Sequence, residues 1–149
     1  MNAVSALLPF TRAEVRQLAK SGLVAALTAT SPARLAHPGG GPSLTGTNPL
    51  AIAIPSSGGD PVVADVSMGK VTHGDVLEGR ASPEELVPFG GALAHKAFSL
   101  AVGLQLLVDA LAGDGYGAVL LLARPKADPV PAFRDRASGV RLPGDASRT

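Results

Sequence analysis

Four short stretches of the 149-residue chain concentrate the side chains able to hold a ligand or act on it. Thr30, Ser31 and Pro32 follow one apolar run, and Gly46, Thr47, Asn48 and Pro49 precede another. Asp65, Val66 and Ser67 end a third, and His95 and Lys96 stand at the start of the longest apolar stretch. Polar groups at strand ends, together with a cation at a helix start, are where layered folds bind ligands that carry phosphate or ribose. Lys96 supplies a point charge for phosphate, and Asp65 can accept hydrogen bonds from ribose hydroxyls. Each residue also has a plainer reading, with Asp65 capping the next helix, Ser31 turning the chain before Pro32 and Lys96 snorkelling at the surface. The spacing points to a place and leaves the reaction open.

The elements that must position these residues are readable from periodicity and from start and stop signals. Residues 12–21 form a helix: Thr11 and Glu14 make a capping box, Phe10 and Val15 occupy the positions of a hydrophobic staple, and Gly22 is the C′ residue. Strands are expected over residues 23–28, 50–54, 61–65 and 118–123, with turn chemistry through 30–48 and 55–60. Ser67 is placed to cap a helix running to about residue 78. The longest element is a helix over residues 92–112, whose Ala97, Leu100, Ala101, Leu104, Leu107 and Leu111 recur at helical spacing. Beyond residue 123 there are four Pro, and six Lys or Arg against three Asp, which reads as an extended or disordered tail. The expected organisation is therefore a core over residues 1–123 and a tail over 124–149. Strands alternating with helices make the class α/β, or α+β with a mixed sheet.

Composition removes several functions. Thirteen Lys and Arg against twelve Asp and Glu leave a formal charge of +1, so no global field gathers nucleic acid or an anionic membrane. The chain has no Cys, which excludes thiol nucleophiles, zinc-thiolate sites and disulfides, and no other metal-ligand set stands out. The best membrane-spanning candidate, residues 92–112, is interrupted by His95, Lys96, Gln105 and Asp109, so a soluble, cytoplasmic protein without a membrane partner is expected. A Rossmann dinucleotide site needs G-x-G-x-x-G between a strand and a helix, whereas Gly113, Gly115 and Gly117 follow a helix and precede a strand. Of the three histidines, His37 falls in the Gly/Pro loop as a solvated residue and His73 on an exposed helix face.

Taken together, the segments resemble a known family. Thr30-Ser31-Pro32, Pro38-Gly39-Gly40 and Gly46-Thr47-Asn48-Pro49-Leu50-Ala51 resemble the malate/L-lactate dehydrogenase family, which is unrelated to the Rossmann lactate dehydrogenases. The stretch 61–67 resembles its strand ending in Asp-Met-Ser, with Val66 in place of Met. Leu86-Val87-Pro88-Phe89-Gly90-Gly91, followed by His95-Lys96-Ala97-Phe98, resembles its Leu-Pro-Phe-Gly-Gly-His-Lys-Gly-Phe signature. Here Ala92-Leu93-Ala94 intervenes and Ala97 replaces a glycine.

The resemblance implies a non-Rossmann cofactor-domain core and an oxidoreductase using NAD or NADP to interconvert 2-oxo or imino acids with 2-hydroxy or amino acids. It implies cofactor contacts at Ser31, Asp65, Val66, Ser67, His95 and Lys96, and a substrate-side loop at Thr47 and Asn48. The family's Ser-His pair and substrate-binding Arg have no counterpart in these residues, so no catalytic residue is assigned and the chain is expected to be incomplete alone. The alternative is a catalytically degenerate remnant serving as a cofactor-binding or assembly module, as a homo-oligomer or with a full-length relative.

Overall fold

A computed structural model describes residues 12–145. It combines helices with an antiparallel sheet, in keeping with the expected mixed class, and divides the chain into two compact units. The first unit holds residues 12–27, 50–65 and 120–145; the second holds 28–49 and 66–119.

In the first unit, α1 (Arg12–Lys20) buries Val15 and Ala19 one turn apart, with Leu18 beside them. Helix α1 ends in a Schellman motif. The Gly22 N–H donates to the Ala19 carbonyl at 2.9 Å, the Leu23 N–H donates to the Leu18 carbonyl at 3.1 Å, and Gly22 has φ +85°. The expected capping box and staple involve Thr11 and Phe10, which lie outside the described residues. Strands β1 (Val24–Ala29), β4 (Leu50–Ile54), β5 (Val62–Val66) and β6 (Ala118–Ala123) form one sheet in the order β5-β4-β1-β6. Alternation along β4 turns Ala51 and Ala53 inward, where they meet Ala25, Leu27, Val63 and the buried face of α1. A core of Ala, Val and Leu brings the helix close to the sheet without aromatic residues.

The expectation of an extended or disordered tail is corrected by this unit. Residues 130–137 form α4 (Val130–Ala137) with Val130 buried, and the segment after it is tied down. Arg16 donates to the Gly144 carbonyl at 2.8 Å and to Asp60 at 3.1 Å; the Val63 N–H donates to the Pro143 carbonyl at 3.0 Å; Arg134 pairs with Asp145 at 2.8 Å. Two of the prolines that suggested an extended chain, Pro129 and Pro131, stand at the start of α4, where a missing N–H costs nothing. Residues 120–145 belong to the same unit as α1.

In the second unit, the expected long loop contains a small antiparallel ladder, β2 (Leu35–Ala36) with β3 (Ser43–Thr45), in the register Leu35 to Thr45 and Ala36 to Ser43. Its Gly/Pro tip spans residues 38–42. The helix expected from Ser67 is shorter: α2 (His73–Leu77) begins five residues later and is capped by Thr72. Thr72 and Asp75 form a reciprocal capping box, which outcompetes Ser67 because Ser67 Oγ turns to the Gly69 carbonyl at 3.4 Å. Single 3₁₀ turns at Pro83–Glu85 and Gly91–Leu93 lead into α3 (Ala94–Ala112), which buries Ala94, Ala97, Ala101 and Val108.

The capping box makes one prediction. The Thr72 hydroxyl, the Thr72 N–H and Arg80 all donate to the Asp75 carboxylate and lower its pKa from 3.8 to about 2. A carboxyl lowered on folding stabilises above its unfolded pKa and loses that contribution as pH falls through the folded one. Helix α2 is therefore expected to fray between about pH 4 and 2, with the Asp75 carboxyl carbon titrating near 2 by NMR. In Thr72→Ala the midpoint is expected to return toward 3.8, and an unchanged midpoint would contradict the assignment.

Candidate functional site

Three of the expected site residues meet in the second unit. Asn48 is fully buried in a left-handed conformation (φ +29°), which Asn adopts more readily than most residues. Its Oδ1 accepts the Ser31 N–H at 3.1 Å; its Nδ2 donates to the Ala101 carbonyl at 3.2 Å and to Gln105 Oε1 at 3.0 Å. One amide thus joins the turn before Pro32 to the middle of α3. Thr47, also buried, accepts the Met68 N–H on its carbonyl at 2.7 Å and touches the space beside Gly69 with its methyl group. Gly46 lies so close to Ser31 that any side chain there would occupy the position of the Ser31 hydroxyl.

The Ser31 hydroxyl is buried and has no hydrogen-bond partner among the described residues. Buried hydroxyls are almost always paired, so an orphan beside a tightly built turn marks a position where a ligand group fits. The neighbouring Thr30 is satisfied: its Oγ1 accepts the Gly117 N–H at 2.9 Å, and its own N–H donates to the Gly117 carbonyl at 2.9 Å.

His95 and Lys96 occupy the first turn of α3, both exposed. No side chain caps this end of the helix, and Gly90 approaches it in a left-handed conformation at φ +106°. Ala94, Gly91, Phe89, His37 and Lys70 line an open cavity of about 620 Å³ at the same end of α3. His37 is exposed as expected but is held: its Nδ1 accepts the Gly39 N–H at 2.9 Å, and its ring stands edge-on to Phe98 at 5.3 Å. His73 differs from expectation. It is half-buried at the start of α2, and its Nδ1 is buried without a partner.

Val66 is exposed and Ser67 half-buried in the stretch leading to Met68. Asp65 ends the first unit, and partial desolvation of its carboxyl raises its pKa against the opposing pull of Arg12. Sequence reading missed Gln105 and Asp109 as parts of the site, having taken them for interruptions of an apolar helix. Gln105 Nε2 donates to both Asp109 oxygens, at 3.1 and 3.2 Å. The available signal was their spacing: two polar residues four apart on an otherwise apolar helix share a face and can bond.

Comparison with known proteins matches this arrangement to one family. A family model described as malate/L-lactate dehydrogenase matches residues 10–86. The structure is similar to a dehydrogenase from Sinorhizobium meliloti, at 28% identity and a TM-score of 0.71, covering 91% of this chain and 52% of that one. It is also similar to delta1-piperideine-2-carboxylate reductase from Pseudomonas syringae pvar. tomato, at 26% identity and a TM-score of 0.74, covering 93% and 55%. Sulfolactate dehydrogenase from Methanocaldococcus jannaschii shares the fold, with 18% identity, a TM-score of 0.63 and coverage of 92% and 53%. The chain thus spans about half the length of these structures. A search of curated proteins by sequence gave no match. The family match covers residues 10–86, including the Ser31 turn, Gly46 to Asn48 and the 65–67 stretch, and the chain belongs to the malate/L-lactate dehydrogenase family.

Proposed function

We propose that the chain supplies the nicotinamide-cofactor side of an oxidoreductase that interconverts 2-oxo or imino acids with 2-hydroxy or amino acids in the cytoplasm. The observation that carries this reading is the orphaned Ser31 hydroxyl, held in place by the Asn48 amide through the Ser31 N–H. Its chemistry suits NAD or NADP, since a hydroxyl can donate to a cofactor oxygen or accept from an amide. The uncapped start of α3, with Lys96 and His95 in its first turn, favours the anionic oxygens of a pyrophosphate. The Val66 and Ser67 stretch of the same unit would take the ribose, and Thr47 and Asn48 hold the loop on the substrate side. Bound there, the cofactor supplies or accepts a hydride. The proton and the substrate carboxylate need an acid and a cation that no residue described above is assigned to provide.

Titrating the 149-residue chain with NADH and with NADPH, followed by nicotinamide fluorescence, tests this reading. A saturating change is expected with at least one cofactor. Lys96→Gln should weaken binding about tenfold, equivalent to about 1.4 kcal/mol, and Ser31→Ala should weaken it several-fold. No change at millimolar cofactor would reject the proposal. A second reading, assembly, is favoured by a separate observation: α3 leaves Leu100, Leu106, Leu107 and Leu111 between 44% and 67% exposed.

A further inference from the structure

The cavity of about 620 Å³ beside the start of α3 has a lining ill suited to a cofactor's phosphates. Leu86, Pro88 and Phe89 line it, whereas His95 and Lys96 do not. Its polar side chains are His37 and Lys70, both in the second unit, and among the described residues no Asp or Glu lines it. Pockets of about 300–1,000 Å³ that join apolar walls to a few placed donors are the usual form of a small-molecule site. We infer that this cavity takes the acid partner of the reaction, a 2-oxo acid with one carboxylate and an apolar side chain. Lys70 receives the carboxylate, His37 donates to the 2-oxo group, and the side chain lies against Leu86, Pro88 and Phe89. The identity of the ligand rests on the oxidoreductase reading, while the fit itself needs no bound cofactor.

Both donors are set by their surroundings. His37 Nδ1 accepts the Gly39 N–H at 2.9 Å, which places the hydrogen of the neutral ring on Nε2. Among the described residues this Nε2 has no partner, and the ring is held edge-on to Phe98 at 5.3 Å. Such an N–H suits a carbonyl oxygen. Lys70 Nζ donates to Glu85 at 3.0 Å, and the two side chains are 58% and 40% exposed. An ammonium carries three donors and an exposed pair of this kind holds weakly, so a second carboxylate can bind beside Glu85 or in its place.

The cation and the apolar wall share one frame. The Lys70 N–H donates to the Val87 carbonyl at 2.7 Å, the Phe89 N–H donates to the Met68 carbonyl at 3.2 Å, and Gly69 pairs with Pro88 in antiparallel fashion. Met68, itself buried, gives its own N–H to the Thr47 carbonyl at 2.7 Å. The cavity is thereby joined through Met68 to the loop that holds Asn48 and Ser31.

A single lining cation decides the class of acid. A dicarboxylate would strand its second charge against Leu86, Pro88 and Phe89, and a doubly charged phosphate would do the same. A nucleotide base is the competing occupant, since it too would lie against Phe89, but it offers Lys70 no charge.

Nuclear magnetic resonance of the intact chain with labelled imidazole nitrogens tests this, since the chain has three His and His37→Gln identifies one set of signals. Addition of 4-methyl-2-oxopentanoate, with and without millimolar NADH or NADPH, is expected to shift the His37 signals saturably and leave those of His73 in place. 2-Oxoglutarate should bind about tenfold more weakly or worse. Lys70→Gln should raise the dissociation constant for 4-methyl-2-oxopentanoate about tenfold and Lys70→Arg should recover most of it, with thermal melts unchanged because the side chain is exposed. No saturable His37 shift in either arm overturns the inference, and the cofactor reading stands if NADH or NADPH still binds. Equal affinity for 2-oxoglutarate or inorganic phosphate overturns it as to ligand class. Displacement of the acid by adenosine monophosphate, with the same His37 shift, gives the cavity to the cofactor and also overturns it. Acid binding in a chain that binds neither NADH nor NADPH supports the cavity assignment and rejects the cofactor reading.

Discussion

Gly46→Ala is expected to destabilise the second unit by about 3–5 kcal/mol, in the range of the largest single-substitution effects. The added methyl would fall on the hydroxyl and carbonyl oxygens of Ser31 and 2.7 Å from Asn48 Oδ1. The hydroxyl alone could rotate, but the carbonyl cannot swing aside. Pro32 confines Ser31 to extended backbone, and the Ser31 N–H is pinned by Asn48 at 3.1 Å. Relief therefore requires breaking the Asn48 bond or moving the 45–49 loop, whose Thr47 carbonyl holds Met68. With domain stabilities of about 5–15 kcal/mol, the melting temperature should fall by roughly 10 °C or more. Cofactor-induced fluorescence should disappear with it. A melt within about 3 °C of the parent would show that the turn has slack the structure does not reveal.

Much of this fold was legible because its signals are local. Strands β4 and β6 coincide with their apolar runs, and Gly22 ends α1 because only a left-handed residue closes a Schellman motif there. The errors came from competition between neighbouring signals. Ser67 and Thr72 are both suitable caps, but only Thr72 has an acid three residues on. Pro129 and Pro131 look like breakers, yet at the start of a helix they are harmless; what folds the tail is long-range. Arg16 reaches Gly144 across 128 residues of sequence, and Gly144 fits because its φ is +91° and a Cβ would lie 2.8 Å from the Val63 nitrogen. No window of sequence contains that information.

The candidate site divides in the same way. The motif spacing drew attention to Ser31, Thr47 and Asn48, and the structure joins all three. It could not show that Asn48 would be spent on structure, bonded on both sides of its amide, leaving Ser31 as the polar group without a partner. Nor could it show that Gln105 and Asp109 orient that amide from 57 and 61 positions along the chain. Polar residues on an apolar helix are ambiguous until their partners are known.

That orientation makes Asn48→Asp the second large expected effect, about 3–4 kcal/mol from a change of one atom. Asp109 is an acceptor only, so it binds the Gln105 amide nitrogen and leaves Gln105 Oε1 facing Asn48. The group at 48 must then present a donor to both Gln105 and the Ala101 carbonyl while accepting from Ser31. A carboxylate satisfies Ser31 and confronts two acceptors with a buried charge. Gln105 cannot flip to help without turning its oxygen on Asp109. The cost should therefore fall when Asp109 is released: in Asn48→Asp with Asp109→Asn, the new amide can donate to a flipped Gln105, whose nitrogen then reaches the carboxylate. Chemical denaturation of the two single variants and the double one should give a coupling energy above about 1 kcal/mol in favour of the double. Strict additivity would mean that Asp109 does not set the amide direction. Because Asn48 also positions Ser31, the single variant should lose NAD(P)H fluorescence under conditions where it is still folded, and the double variant should regain part of it.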